Sequence, residues 1–265
     1  PARPPPGPAL RRDPCAAARP PPTARQPDRK RPDAMPYIST QDKHLTVLNL
    51  FTTDKPEKQD TLIQEMRKIV DTAAFDGWIS STVHAGQDSP GTANFIQWRS
   101  GEDLEKRYAG EEFKHRTLPV FQDITTSIRL LQSEIVYTQR HPSQGEATEV
   151  SPDRDDHTVI EIFKVSAGDQ DELIAELGEG QSWLAEVDGY RSHSVFKGLR
   201  ARFLEGPFAV VYSQWASKEQ YDAHRNQPAA QQSDARRKSQ ARIDALKTDR
   251  DWNSYRVIHS RAAGA

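Results

Sequence analysis

Thr46-Val47-Leu48-Asn49-Leu50-Phe51 returns 112 residues later as Thr158-Val159-Ile160-Glu161-Ile162-Phe163, and that recurrence decides the fold. The same offset sets Asp76-Gly77-Trp78 on Asp188-Gly189-Tyr190, and Val83 on Val195. Farther on, Gln97-Trp98-Arg99-Ser100 matches Gln214-Trp215-Ala216-Ser217, now 117 residues apart. The five extra residues fall in the Lys197–Pro207 region, where a hairpin loop is expected. Landmarks repeated in one order are the mark of a duplicated unit.

Within the first copy, Leu45–Thr52 is a short β-branched and apolar run and reads as a strand. Asp54-Lys55-Pro56-Glu57 then supplies an N-cap, an early proline and a first-turn acid. Leu62, Ile63, Met66, Ile69, Val70 and Ala73 recur at helical spacing until Asp76-Gly77 ends the helix. Trp78–Ala85 and Ala93–Arg99 read as a hairpin around Gly86–Gly91. Glu102–Ile124 is helical in pieces, broken near Gly110 and Pro119, and Ile128–Tyr137 is a last strand. The second copy repeats the order, with strands at Val159–Val165, Tyr190–Phe196, Phe208–Trp215 and Ser254–His259. Its helices span Asp169–Glu186, Lys218–Asn226 and Ala229–Leu246. Each copy is thus a β-α-β-β-α-β, ferredoxin-like unit with helices on one sheet face. The other sheet face is also apolar, and packing the two sheets against each other would cover it. The expected domains are 44–140 and 157–260, joined by a polar linker over 141–156 that carries Pro142, Gly145 and Pro152.

Residues 1–34 are a different polymer. They hold 11 of the 19 prolines, seven arginines, Lys30 and the single cysteine, with no aromatic residue. Such a segment cannot build a core, and disorder is the expectation. The chain opens at Pro1 and its first methionine is Met35, so the working protein is expected to start near there. A basic tail that binds something acidic is the alternative. Without this segment the chain has 28 basic and 35 acidic residues, a charge near -7, which argues against nucleic acid as a partner. One cysteine excludes a disulfide framework and a cysteine-rich zinc site. There is no apolar stretch of about 18 residues and no secretory h-region, so no membrane partner is expected and a cytoplasmic location is. A glycine-rich phosphate loop, a dinucleotide fingerprint and a G-x-S-x-G elbow are absent, which argues against a tightly held nucleotide.

The repeated unit, with Asp-Gly-aromatic opening its second strand and Gln-Trp closing its third, resembles the antibiotic biosynthesis monooxygenase family. That resemblance covers about 44–140 and 157–260. It implies an α+β fold, two tandem ferredoxin-like repeats forming an intramolecular dimeric α+β barrel, and an oxygenase that binds no metal or organic cofactor tightly. O2 is the implied co-substrate and an aromatic polyketide the implied substrate. The family's quinone-forming oxygenases, which act on anthrones, place an asparagine four residues before the strand-three tryptophan. Asn94 stands four before Trp98, whereas Val211 holds that place before Trp215. Two-repeat relatives include oxygenases that open the B ring of angucyclines with reduced flavin (FMNH2 or FADH2) supplied by a separate flavin reductase. A homodimer of the tandem chain is a further partner the resemblance admits. Haem degradation is a sister reading in the same fold, in which Asn49 and Trp98 fit loosely but Tyr108 stands where that subgroup has a histidine. A non-catalytic barrel that binds a small molecule is the alternative from another class.

The residues argue for a site independently. On a strand Asn94, Ile96 and Trp98 share one face, and at about 3.3 Å per residue Asn94 and Trp98 are roughly 13 Å apart. That spans a fused three- or four-ring aromatic, which wants an apolar wall with a few placed polar groups. An amide near one end can donate to a developing phenolate or enolate oxygen. A core tryptophan beside an asparagine near a turn explains the same residues. Asn49 and Glu161 hold equivalent positions in apolar first strands and are further binding candidates; buried, Glu161 would be a base. His115 and His224 lie on the second helices, and either is a candidate base for a phenol. Tyr108 and Trp215 are candidates to contact substrate, and Arg116 is a candidate counter-charge. Surface or core packing is the competing explanation for each. The eight histidines form no metal-ligating pattern.

Overall fold

The structure, a computed structural model, describes residues 1–2 and 36–264. The expectation for 1–34 falls outside these residues apart from its first two. In chain order the elements are strands β1 (Tyr37–Ile38) and β2 (Leu45–Thr52), helix α1 (Pro56–Thr72), strands β3 (Trp78–Gly86) and β4 (Gly91–Trp98), helices α2 (Gly101–Ala109) and α3 (Leu118–Ile124), and strand β5 (Ser127–Arg140). There follow β6 (Thr148–Glu149), β7 (His157–Val165), α4 (Gln170–Leu177), β8 (Tyr190–Arg202), β9 (Phe208–Trp215), α5 (Lys218–Arg225), α6 (Asp234–Leu246) and β10 (Lys247–Ala262). A π-helical turn, Phe113–Thr117, lies between α2 and α3.

Eight strands close into one antiparallel barrel, in the order β10-β3-β4-β2-β5-β8-β9-β7. Each half contributes four adjacent strands in ferredoxin-like order. The halves join edge to edge, β5 on β8 and β10 on β3, so closure leaves no open sheet edge between them. The extra residues of the second half mostly lengthen a strand: β8 has 13 residues where β3 has nine.

Alternation along each strand divides the core. Leu48, Leu50, Phe95, Leu131, Ile160, Phe196 and Tyr212 fill the barrel interior. Val47, Phe51, Trp98 and Leu130 face outward onto Leu62, Met66, Val70 and Leu104 of the first half's helices. The Gln-Trp pairs straddle this division. Trp98 and Trp215 face the helices, while Gln97 and Gln214 point inward and accept from Ser80 and Ser192, both at 2.7 Å. The same two glutamines donate to the carbonyls of Tyr37 and Glu149, each at 2.9 Å. Tyr37 and Glu149 pair with each other in a two-stranded ribbon, β1–β6, that buries Ile38 and Val150 in the interior cluster. The 141–156 connection, read from its sequence as a linker, therefore carries a strand. It also carries buried Asp156, held by Arg154 and Arg191.

The Asp-Gly-aromatic landmark is a tight turn. Gly77 and Gly189 have φ of 76° and 77°, the left-handed region that glycine enters without a steric cost. A β-carbon at Gly77 would meet the Asp103 carboxylate at 2.4 Å, and one at Gly189 the Gln220 side chain at 2.5 Å. At the start of α1 the residue before Pro56 is Lys55, which makes no side-chain cap; Asp54 pairs instead with Lys58 at 2.9 Å. Proline at the first position removes one of the donors a cap would satisfy.

Candidate active site

Asn49 on β2 and Asn94 on β4 are direct cross-strand partners, and both face the helices of the first half. They open into a cavity of about 590 Å³, including the part open to solvent. Strand residues Phe51, Ile96 and Trp98 line it, as do Met66 and Val70 of α1, Leu104, Arg107 and Tyr108 of α2, Phe113 of the π turn and Phe121 of α3. Trp98 stacks on Phe75, with ring centroids 6.4 Å apart. The helical period explains the α2 contribution: Leu104, Arg107 and Tyr108 are three and four residues apart and share one face.

Four of the pocket's polar atoms have no partner among the described residues. Asn49 Oδ1, Asn94 Oδ1, Trp98 Nε1 and the Tyr108 hydroxyl are all buried and unbonded. By contrast, Trp78, in the same wall, donates its indole N–H to Ser81 at 2.9 Å. Buried polar groups cost free energy unless paired, and these four converge on one apolar cavity, where a ligand's polar groups would satisfy them. Burial pushes the Tyr108 hydroxyl up to about 12; the Asn49 amide opposes this, although it stops short of a full hydrogen bond. The phenol therefore stays protonated and able to donate at neutral pH. Arg107 brings the cavity a cation. Its guanidinium lies 4.1 Å above the Phe75 ring and reaches Glu112 at 3.4 Å. Burial lowers the Arg107 pKa, and Glu112 acts against that.

Asn49, Asn94, Trp98 and Tyr108 thus come together. His115 and Arg116 do not: both are exposed, and His115 sits 3.2 Å from Glu111 on the outer surface. Arg107 was missed, although its spacing from Leu104 on α2 was a usable signal.

The remaining candidates lie in the second half, where the same registers hold different chemistry. Glu161 pairs with Val211 as Asn49 pairs with Asn94. Glu161 is ion-paired to Arg250, which answers its charge. Trp215 donates its indole N–H to Ser213 at 3.1 Å, and His224 stacks on it with centroids 4.9 Å apart. Trp183 also packs against His224, with centroids 5.8 Å apart. Burial, with Arg236 beside it, lowers the His224 pKa to about 4. Among the described residues no group of three histidine, cysteine or carboxylate side chains is placed to hold a metal. Among the described residues no helix is long and apolar enough to cross a membrane.

Comparison with known proteins now adds to this geometry. The profile of the family described as antibiotic biosynthesis monooxygenase matches residues 157–236. A solved structure described as an anthrone oxidase-like protein is 58% identical, with a TM-score of 0.85, covering 87% of this chain and 98% of its own. A monooxygenase candidate from Lactobacillus acidophilus is 10% identical at a TM-score of 0.52, covering 84% of this chain and 98% of its own. Another from Fusobacterium nucleatum is 9% identical at 0.55, covering 84% and 96%. These last two share the fold. Comparison with curated proteins gives no match.

Proposed function

The chain belongs to the antibiotic biosynthesis monooxygenase family, and on that premise we propose that it oxidises a flat polycyclic phenol or anthrone of the aromatic polyketide class with O2. The observation that carries this reading is the convergence of four unpartnered buried polar atoms on one apolar cavity in the first half. Ring faces would stack along the Trp98 and Phe75 wall. Substrate oxygens would take hydrogen bonds from Trp98 Nε1, the Tyr108 hydroxyl and the Nδ2 amide groups of Asn49 and Asn94, whose Oδ1 atoms would accept from substrate hydroxyls.

Among the described residues, the cavity lining contains no carboxylate and no imidazole. Its residues therefore act on the substrate's acidity by holding the anion. Donors already in place and the Arg107 charge favour the enolate over the neutral anthrone without reorganisation. An electron-rich enolate passes an electron to O2, and the resulting pair of radicals combines at the ring carbon. Loss of water from that hydroperoxide leaves a carbonyl. The sum is a ring CH2 plus O2 giving a C=O plus water. Exclusion of bulk water and orientation of the ring are the protein's other contributions.

A reduced flavin would bring a phosphate to this cavity. The lining offers one guanidinium, already stacked on Phe75 and reaching Glu112, so it fits a flat phenol better than a phosphorylated cofactor. No step above runs through flavin. Haem degradation fits less well, because no imidazole among the described residues lines the cavity.

The test is anaerobic mixing with a polyhydroxylated anthrone, then admission of O2, with and without reduced flavin from a separate reductase. The expected result is the quinone by product mass in both arms, with one O2 consumed per quinone in the flavin-free arm. A ring-opened product formed only with flavin would overturn the flavin-free reading, and no product in either arm would overturn the function.

A further inference from the structure

The second half reaches into the first half's cavity. The added length of β8 pairs with β5, setting Arg202 opposite Leu130 and Arg200 opposite Gln132. Leu130 packs with the cavity helices, so Arg202 stands on that same face. Its guanidinium lies 4.8 Å from the centroid of the Tyr108 ring and donates to Glu105 at 3.0 Å. Glu105, one turn before Tyr108 on α2, also accepts from Gln132 at 3.2 Å and lies 3.4 Å from Arg200. The helix that presents Tyr108 is therefore gripped by the other half's hairpin.

The first half's hairpin reaches the second half less far: its loop meets α5 at the first residue, Lys218, through Asp88 at 3.0 Å, and β3 itself stops at Gly86, opposite Tyr255. That is short of Trp252, which pairs with Glu161 as Leu130 pairs with Asn49. The longer hairpin and the two amides thus serve the same cavity.

We propose that Arg202 is a positioning residue for Tyr108. Delivered by the second half, its cation lies over the phenol ring and makes the hydroxyl a stronger hydrogen-bond donor to an anionic substrate oxygen. This rests on the reading of the first-half cavity as the oxygenase site. The physical basis is that a cation on a ring face draws on the ring's electron density and stabilises negative charge developing at its oxygen. Burial is the main influence on the Tyr108 hydroxyl and raises its pKa, and the Arg202 charge works against it. A half that merely glued α2 in place would need the Glu105 contacts but no cation over the ring.

The first measurement needs no substrate. With 3,5-difluorotyrosine installed at position 108, the phenol ionises within the range where the protein is folded, and absorbance follows its titration. Arg202→Met is expected to raise the midpoint by on the order of half a pH unit, and Arg202→Lys to recover most of that shift. An unchanged midpoint in Arg202→Met overturns the proposal. With Tyr108 restored, Arg202→Met is expected to lower kcat on a hydroxyanthrone several-fold with little change in KM. That effect should vanish in a Tyr108→Phe background. An equal loss in both backgrounds overturns action through Tyr108. If the parent turns over no anthrone, the function reading fails while the titration still decides the role of Arg202.

Discussion

A histidine in this chain means different things according to the face it occupies. His84 points into the barrel, its Nδ1 3.2 Å from the carbonyls of both Thr82 and Ala93. The proton therefore sits on Nδ1, and Nε2 accepts from the Tyr212 hydroxyl at 2.8 Å, across the two halves. Burial lowers the His84 pKa from 6.5 to about 4, and it does the same to His193 and His224. A histidine buried neutral stabilises the fold above its unfolded pKa. As pH falls below about 6.5 the unfolded chain takes up protons first, and stability is lost until the folded groups protonate near 4. At about 1.4 kcal/mol per pH unit, fully buried His84 alone is linked to about 3 kcal/mol over that window. Urea midpoints measured from pH 7 to 4 should fall steadily, and His84→Gln should flatten the slope. A midpoint independent of pH across that window would contradict this account. His115 shows why a candidate base read from the sequence falls outside the cavity. On a straight helix it would share a face with Tyr108, two turns earlier. Gly110 breaks that helix with an extended backbone, and the π turn Phe113–Thr117 adds a residue per turn. Both changes rotate the phase and turn His115 and Arg116 outward.

At the scale of elements, the matched turns were legible because glycine before an aromatic residue carries a conformational requirement, and both Gly77 and Gly189 meet it. Alanine at either position is expected to cost about 1–3 kcal/mol, since it combines a left-handed φ with a clash. The two should differ in function. Gly77 abuts Asp103, whose ion pair with Arg99 at 2.8 Å anchors the start of the helix that carries Tyr108. Gly77→Ala should therefore lower both the unfolding midpoint and turnover, whereas Gly189→Ala should lower the unfolding midpoint alone. Equal effects on turnover would contradict the placement of the site. β10 was far less legible. Its apolar segment predicts six residues, Ser254–His259, but the strand runs 16, from Lys247 to Ala262. The missing part, rich in aspartate and arginine, is charged along its length: Asp249 meets Lys164 and Arg250 meets Glu161 on neighbouring β7, and Asp251 meets Arg129 of β5, which is not adjacent to β10 in the barrel. Hydrophobic periodicity cannot detect a strand held that way.

For the molecule as a whole, the repeat disclosed the barrel, because two sheets with apolar faces on both sides need each other. It did not disclose how the halves differ across their shared axis. Arg129 pairs with Leu50 and Asp251 with Ile162, equivalent places in the two halves, and the two side chains meet at 2.6 Å. Two copies of either half would bring like charges together there, so the barrel is matched to one copy of each. The chemistry of the two helix-facing regions divides the same way. One half has a cavity with unpartnered amides, and the other has aromatic packing around Trp215 and an ion pair where the first strand's amide would be. The central claim is that oxidation takes place in the first half. It is tested most directly by O2 uptake with a hydroxyanthrone, comparing Asn94→Ala and Trp215→Phe with the parent. Loss of one preorganised donor predicts about a 10²–10³-fold fall for Asn94→Ala, with Trp215→Phe near the parental rate. A silent Asn94→Ala beside an inactive, folded Trp215→Phe would contradict the account and move the site to the second half.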